Sequence, residues 1–173
     1  FGDEFSYLNG DLQNEYYKEG IYLGYRYYDS FNKEVRFPFG FGLSYTEFSI
    51  EIKSVSLDKT VLNIKTAVTN TGSCSGKEVV QVYVSLPGEI KEYQRLVAFQ
   101  KTNELEKGET EILDISFCLE DCTSYNEENA SWILDGGDYI VRIGNSSRNT
   151  KVSAIFEIPQ TIVVEKCRNC CSL

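Results

Sequence analysis

The stretch Val79-Val80-Gln81-Val82-Tyr83-Val84 alternates between small apolar side chains and larger or polar ones. In an extended chain successive side chains point to opposite sides. Val80, Val82 and Val84 therefore share one face, opposite Gln81 and Tyr83. This alternation predicts a half-buried β-strand that has one face against a core and the other against water.

Six further segments between residues 46 and 158 show a similar alternation or a short apolar run. Their apolar positions are Phe48, Ile50 and Ile52; Leu62, Ile64 and Val68; Leu96 to Phe99; Leu113, Ile115 and Phe117; Tyr139, Val141 and Ile143; and Val152, Ala154, Phe156 and Ile158. Turn residues such as Asn70-Thr71-Gly72 separate the segments. About seven short strands without a helical period predict an all-β fold, an immunoglobulin-like or fibronectin type III-like antiparallel β-sandwich.

Aromatic residues are concentrated before this sandwich: 14 lie in residues 1–45, and the remaining 128 residues hold 9. A segment this short cannot bury so many rings around a core of its own. Such ring surface normally packs against a partner. We therefore predict that residues 1–45 are the end of an upstream domain and its connector, followed by the sandwich at 46–159 and a Cys-rich tail at 160–173. A carbohydrate-binding aromatic platform is the alternative interpretation of the rings.

Charge and hydropathy argue against two classes of protein. The net charge is −9, whereas a nucleic-acid binder needs a cationic surface to displace counterions. No apolar run approaches the roughly 18–20 residues that a membrane span requires. The chain begins at Phe1 and contains no Met, so we expect a fragment or a processed chain.

Six cysteines raise the questions of metal binding and cellular compartment; they are Cys74, Cys118, Cys122, Cys167, Cys170 and Cys171. The chain shows neither a secretion signal nor a disulfide-dense pattern, which favours free thiols in the cytoplasm and a disordered tail. Because His is absent, a zinc site would need thiolates alone, and Cys118, Cys122, Cys167 and Cys170 could supply them. Disulfides in an extracellular protein are the third interpretation. No other cofactor is expected.

Catalytic groups are not recognisable in the sequence. Without His, the Ser–His–Asp and Cys–His arrangements are excluded. Glycoside hydrolysis needs two carboxyl groups that flank the scissile bond. The acids here lie on the outer faces of predicted strands or in turns such as Glu127-Glu128, where a solvated surface is the ordinary interpretation. We therefore expect no catalytic residue in this chain.

Several segments resemble motifs of family 3 glycoside hydrolases. Residues 19–29, EGIYLGYRYYD, resemble that family's EGI-x-x-GYRYYD. Residues 37–46, FPFGFGLSYT, resemble the FPFG-x-GLSYT that leads into its last domain. VTNTG at 68–72 and GKEVVQVYV at 76–84 resemble the VTNTG and G-x-EVVQ-x-YV of its fibronectin type III-like domain. Further matches continue in order as far as Ser147.

This resemblance implies a parent β-glucosidase-like enzyme that cleaves the O-glycosidic bonds of β-linked glycosides with retention, in carbohydrate metabolism. In that family the nucleophile lies in an N-terminal barrel, and the acid/base usually lies in the following α/β sandwich. Both positions fall upstream of Phe1, so no catalytic residue is carried over. The partners implied are those upstream catalytic domains, and residues 1–45 are the end of the α/β domain. Phe41 departs from the pattern, because the family often has His there.

The connector should therefore carry interdomain anchors. The candidates are Tyr25, Arg26, Tyr27, Tyr28, Asp29, Phe37, Pro38 and Phe39. Two functions follow: a non-catalytic structural domain of the hydrolase, or an independent carbohydrate- or protein-binding module with the same fold. The FPFG-x-GLSYT segment favours the structural domain, because a free-standing module has no use for it.

Overall fold

The computed structural model describes residues 17–88 and 91–168 of the chain. Within these ranges the helical elements are α1 at Tyr25–Ser30 and a 3₁₀ turn at Leu119–Cys122. In chain order the strands are β1 (Phe48–Asp58), β2 (Val61–Asn70), β3 (Val79–Ser85), β4 (Arg95–Lys101), β5 (Thr110–Cys118), β6 (Ser124–Asn126), β7 (Ser131–Leu134), β8 (Gly137–Ser146), β9 (Asn149–Ile158) and β10 (Ile162–Lys166). No helix in the described ranges has the length and apolarity needed to cross a membrane.

Seven of the strands build a sandwich of two antiparallel sheets. One sheet has the strand order β1-β2-β5, and the other has the order β4-β3-β8-β9. Leu62, Ile64 and Ile115 of the first sheet belong to the same buried cluster as Val82 and Val141 of the second. These strands are the seven that the sequence pattern predicts, so the all-β sandwich is confirmed.

A third, smaller sheet with the order β10-β7-β6 was not predicted. In it Ile162 pairs with Leu134, Lys166 pairs with Ser131, and the N–H of Cys167 donates to the carbonyl of Ala130 at 2.7 Å. The β-branched run at residues 162–164 suits an extended strand. Strand β10 pairs with the edge of β7 that β6 leaves free, so the backbone groups of that edge have partners. The expectation of a disordered tail is therefore wrong for residues 162–166.

Strand β3 is buried on both faces, although the alternation predicts one face in water. Val82 and Tyr83 are both fully buried, and Gln81 is 4% exposed. The prediction is wrong here because residues from before β1 cover the outer side of this strand, as described below. Local alternation cannot reveal a cover that comes from about 40 residues earlier in the chain.

Strand β9 carries a second departure from its predicted pattern. Val152 is 57% exposed, although the alternation assigns it to the core. The register changes between Val141, which pairs with Ala154, and Arg142, which pairs with Val152. Ser153 is the additional residue at this β-bulge. A bulge of one residue reverses the alternation, so the side chains on the two sides of Ser153 no longer follow one period. Val152 therefore lies beside Arg142 on the outer side of the sheet.

The Ile115→Ala variant should lose about 2–5 kcal/mol of unfolding free energy, because the substitution leaves a cavity in the core. Ile115 is 4% exposed, whereas Ile112 on the same strand is 49% exposed. The matched Ile112→Ala variant should lose about 1 kcal/mol or less. Urea titration followed by circular dichroism measures both. Equal losses for the two variants would contradict the assigned core.

Candidate functional site

The outer side of β3, in the β4-β3-β8-β9 sheet, is covered by parts of residues 17–45, which we call the connector. The connector contains α1 and the FPFG-x-GLSYT loop. Gly24 precedes α1 with φ of 55°, in the left-handed region that glycine adopts without strain. This bend turns α1 onto the sheet.

Tyr25 is the first residue of α1 and contacts three parts of the fold. Its ring stacks on Phe39 with 4.4 Å between ring centroids, and it meets Tyr83 edge-on at 6.1 Å. Its hydroxyl oxygen accepts the backbone N–H of Leu96, at the edge strand β4, at 2.8 Å. Tyr25 therefore joins α1 and the FPFG-x-GLSYT loop to the sheet.

Gln81 and Tyr83 form a polar pair on the covered face of β3. The Tyr83 hydroxyl donates to Gln81 Oε1 at 2.6 Å. Gln81 Nε2 donates to the carbonyl of Gly40 at 3.1 Å and to that of Asn145 at 2.7 Å. Burial raises the pKa of Tyr83 above its ordinary value, so the hydroxyl stays a donor. The pair thus bonds the connector to β8 through the middle of the sheet.

Gly40 lets the connector approach this pair. Its φ is 79°, which disfavours any residue with a side chain. A Cβ at this position would collide with the amide group of Gln81. The glycine in the FPFG motif is therefore required by both backbone conformation and space.

Arg148 fastens the C-terminal end of α1. Its Nε donates to Asp29 Oδ1 at 2.9 Å, and its Nη2 donates to the carbonyls of Tyr28 at 3.1 Å and Lys33 at 2.5 Å. An arginine at the last turn of a helix bonds carbonyls that have no partner within the helix. In addition, the N–H of Ser147 donates to the carbonyl of Phe39 at 2.8 Å. The β8–β9 turn thereby holds both halves of the connector.

Glu92 is a buried carboxylate between the connector and β4. Its Oε1 accepts Arg95 Nε at 2.6 Å and lies 3.9 Å from Nε of Arg26 in α1. Burial alone would raise the pKa of Glu92. The hydrogen bond from Arg95 and the charges of Arg95 and Arg26 outweigh burial and hold this pKa below its ordinary value. The ion pair between Arg26 and Glu92 therefore fixes which side of α1 faces the sandwich.

The connector also exposes large apolar side chains to solvent. They are Tyr17, Leu23, Phe31, Phe37, Phe39, Phe41, Leu43 and Tyr45. Leu43 is 91% exposed and Tyr45 is 98% exposed. So many exposed apolar residues in one short segment are typical of a surface that a partner covers.

Comparison with known proteins assigns the fold to a family. The family model of the fibronectin type III-like domain matches residues 78–147, which contain strands β3 to β8. The chain carries a fibronectin type III-like domain.

Relatives of the fibronectin type III-like domain are parts of longer enzymes. A β-glucosidase of Ruminococcus albus is 39% identical over 158 residues, which are 87% of this chain and 17% of that protein. A solved β-glucosidase from Paenibacillus barengoltzii superimposes with a TM-score of 0.86 at 35% identity, over 90% of this chain and 19% of that one. β-Glucosidase 3B from Thermotoga neapolitana, solved in complex with α-D-glucose, superimposes with a TM-score of 0.78 at 42% sequence identity. The match covers 84% of this chain and 20% of that one. The chain spans about a fifth of the length of these relatives. The resemblance to family 3 β-glucosidases is confirmed.

Five of the eight predicted anchors contact the fibronectin type III-like domain itself. They are Tyr25, Arg26, Tyr28, Asp29 and Phe39, which take part in the contacts with the sheet or its turns described above. They fasten the connector to its own sandwich. Their role toward another domain stays a prediction.

The contacts described for the other three anchors, Tyr27, Phe37 and Pro38, are with residues of the connector. The Tyr27 ring contacts Tyr28 at 5.5 Å and Phe31 at 5.0 Å between centroids. Phe37 is 58% exposed and stacks on Phe41 at 5.4 Å. The carbonyl of Pro38 accepts the N–H of Phe41 at 3.1 Å, which closes the turn. Phe37 is the member of this set best placed to contact a further domain.

Sequence reasoning missed the sandwich residues that hold the connector, namely Gln81, Tyr83, Glu92 and Arg148. The first two were assigned to water. The nearly continuous apolar run of β3 is a signal that could have identified them, because a strand buried on both faces has this composition. Glu92 and Arg148 lie in loops, where a charged residue has no local pattern that marks its burial.

The described cysteines are free thiols at separate levels of exposure. Cys74 is exposed, Cys118 and Cys167 are intermediate, and Cys122 is buried. Burial raises the pKa of Cys122 to about 12, which disfavours the thiolate that zinc binds. In residues 17–88 and 91–168 no group of three or more acids and cysteines could hold a metal ion. Cys170 of the predicted zinc set and Cys171 lie outside the described residues, and the compartment stays a prediction.

Glu92 should make stability depend on pH. Because its folded pKa is lowered, its contribution is present above the ordinary Glu pKa of about 4.3 and is lost as the pH falls through the folded value. The Glu92→Gln variant should be less stable than wild type at pH 7. The difference should shrink below about pH 4, where the wild-type side chain also becomes neutral.

The measurement is the urea midpoint of both proteins between pH 3 and pH 7. Glu128→Gln, in the exposed β6–β7 turn, is the matched control and should follow wild type. If the midpoint of Glu92→Gln differed from that of wild type by the same amount at pH 3 and pH 7, the assignment of Glu92 as an ionised side chain would be contradicted.

The six cysteines should titrate largely as free thiols in denaturant without reductant, because the described ones are unpaired. A metal assay of the same sample should find no stoichiometric zinc. Near-zero free thiol would favour disulfides. One equivalent of zinc that disappears in a Cys118→Ser or Cys170→Ser variant would favour the thiolate site.

Proposed function

We propose that this chain is a non-catalytic structural domain of a β-glucosidase-like hydrolase that acts on O-glycosidic bonds, and that its connector docks on the catalytic domains upstream. The observation that carries the proposal is that the connector is both fixed and exposed. Tyr25, Gln81 and Arg148 fix it to the sandwich, while its Leu43 and Tyr45 side chains are almost fully exposed. A segment held this firmly presents its exposed side chains as a rigid docking surface.

The size of the relatives supports the identity of the partner. The β-glucosidases that the chain resembles are about five times longer than the part that it matches. Apolar side chains that face water in this chain have a natural cover in such a longer protein. A preformed surface binds without the loss of conformational entropy that an unstructured linker would incur.

The charges of the described residues support a non-catalytic role. Retaining glycosidases use two carboxyl groups about 5–5.5 Å apart, and the acid/base among them needs a raised pKa. Glu92 is a buried carboxylate, but its pKa is lowered and it is bonded to Arg95. Asp29 is bonded to Arg148. The lowered pKa keeps Glu92 ionised, and both carboxylates are bonded to arginines of the same chain.

An independent carbohydrate- or protein-binding module is the second candidate. The observation that favours it is a pair of half-exposed rings on the small sheet, Tyr125 and Trp132, whose centroids lie 5.4 Å apart. Exposed aromatic rings on a sheet are a common binding surface. This pair lies outside the connector, so the two candidates make separable predictions.

The test compares aryl β-glycoside hydrolysis by the chain, by the upstream domains and by the intact parent enzyme. We expect no turnover by the chain alone and reduced activity or stability of the upstream domains without it. In the parent enzyme, Leu43→Ser should lower the thermal midpoint and the activity. Leu57→Ser, at a 44% exposed position on β1, is the matched control and should change little.

Turnover by the chain alone would refute the non-catalytic role. Full activity and stability of the upstream domains without this chain would favour the binding module. In that case Trp132→Ala should abolish ligand binding while Leu43→Ser leaves it unchanged.

A further inference from the structure

A cleft of about 620 Å³ lies where the end of α1 meets strands β8 and β9. This volume is within the roughly 300–1,000 Å³ of small-ligand sites. The residues that line it include Asp29, Tyr93, Arg142, Ser147, Arg148 and Val152. We call it the outer cleft.

Two residues that line the outer cleft each carry a buried polar atom without a hydrogen-bond partner among the described residues. Asp29 Oδ2 and Ser147 Oγ are buried and unpaired, although Asp29 Oδ1 is bonded to Arg148. The Asp29 side chain is 5% exposed. A buried carboxylate oxygen without a donor is costly, and native structures normally complete it with protein, water or ligand. The group that completes Asp29 must donate a hydrogen bond.

The same cleft carries donors of opposite charge. The Arg142 guanidinium lies 4.8 Å from the centroid of the Tyr93 ring, and its Nη1 donates to Ser85 Oγ. Arg148 uses its Nε and Nη2 for the bonds to α1. A guanidinium has five N–H donors, so both arginines retain donor capacity. Two arginines and one carboxylate leave an excess of positive charge, which disfavours a cationic ligand.

The lining also has apolar surface beside the polar groups. Tyr93 is 50% exposed and Val152 is 57% exposed, the latter because the bulge in β9 turns it outward. A ligand that fits must present hydroxyl groups, which both donate to Asp29 and accept from arginine, together with a C–H face for Tyr93 and Val152. A neutral pyranose sugar combines these properties.

We propose that the outer cleft binds one neutral pyranose ring, through Asp29 and Arg142 to its hydroxyl groups and through Tyr93 to its apolar face. The inference goes beyond the proposed structural role and does not depend on it, because every residue used belongs to this chain. The ring can belong to a free monosaccharide or to the end of an oligosaccharide. Both sources share this chemistry.

The test follows the amide chemical shifts of the ¹⁵N-labelled chain during titration with methyl β-D-glucopyranoside, cellobiose and glycerol. We expect shifts at residues of the cleft with the two sugars and none with glycerol. Equal affinity for both sugars indicates recognition of one terminal ring, whereas tighter cellobiose binding indicates an oligosaccharide end. Tyr93→Ala and Arg142→Met should each weaken binding about tenfold, the effect of losing one good contact.

The matched control is Trp132→Ala, which removes a half-exposed ring outside the outer cleft and should leave the affinity unchanged. Dispersed amide spectra establish that each variant is folded. Absence of shifts at the cleft with either sugar would mean that water alone completes Asp29 and Ser147, and it would overturn the proposal. Weakening by Trp132→Ala without weakening by Tyr93→Ala would also overturn it, because binding would then lie on the small sheet.

Discussion

The hydrogen bonds of Gln81 are the interaction on which the arrangement of this protein depends. Its side-chain amide lies on a strand that is buried on both faces, and it bonds the carbonyls of Gly40 and Asn145 as well as the Tyr83 hydroxyl. If the connector were absent, the amide would lose one acceptor and the Tyr83 ring would meet water. Polar groups that are buried must be satisfied, so the sheet and its cover stabilise each other. The proposed docking surface depends on the connector being held in this way.

The seven sandwich strands could be predicted from the sequence because each carries its own period of two, which depends only on neighbouring residues. The exposure of the individual strand faces could not be predicted in this way. Val152 lies outside because of one additional residue in β9, and a bulge leaves no mark in the alternation itself. Strand β10 was missed because its run of three β-branched residues is short and its partner strand β7 has only four residues.

The candidate site was predictable in location but not in its contacts. The density of rings in residues 1–45 and the family resemblance both identified the connector. The residues that hold it come from far along the chain: Arg148 is separated from Asp29 by 119 positions, and Leu96 from Tyr25 by 71. Single-sequence patterns report local periodicity, and ion pairs across such distances become visible only when the fold brings them together. The same limit hid the outer cleft, whose walls come from α1, the loop before β4 and the β8–β9 hairpin.

The shared cover of the four-stranded sheet also limits how this domain can be inherited. The family model begins at residue 78, whereas the contacts of the sandwich extend back to α1, and those of β7 extend forward to β10. A gene segment cut at the start of β1 would encode a sandwich in which β3 lacks its cover and the Gln81 amide lacks one of its two acceptors. Exon shuffling favours modules whose boundaries fall in solvated linkers, and this boundary falls inside a buried contact. We therefore expect the domain to have been inherited together with its connector.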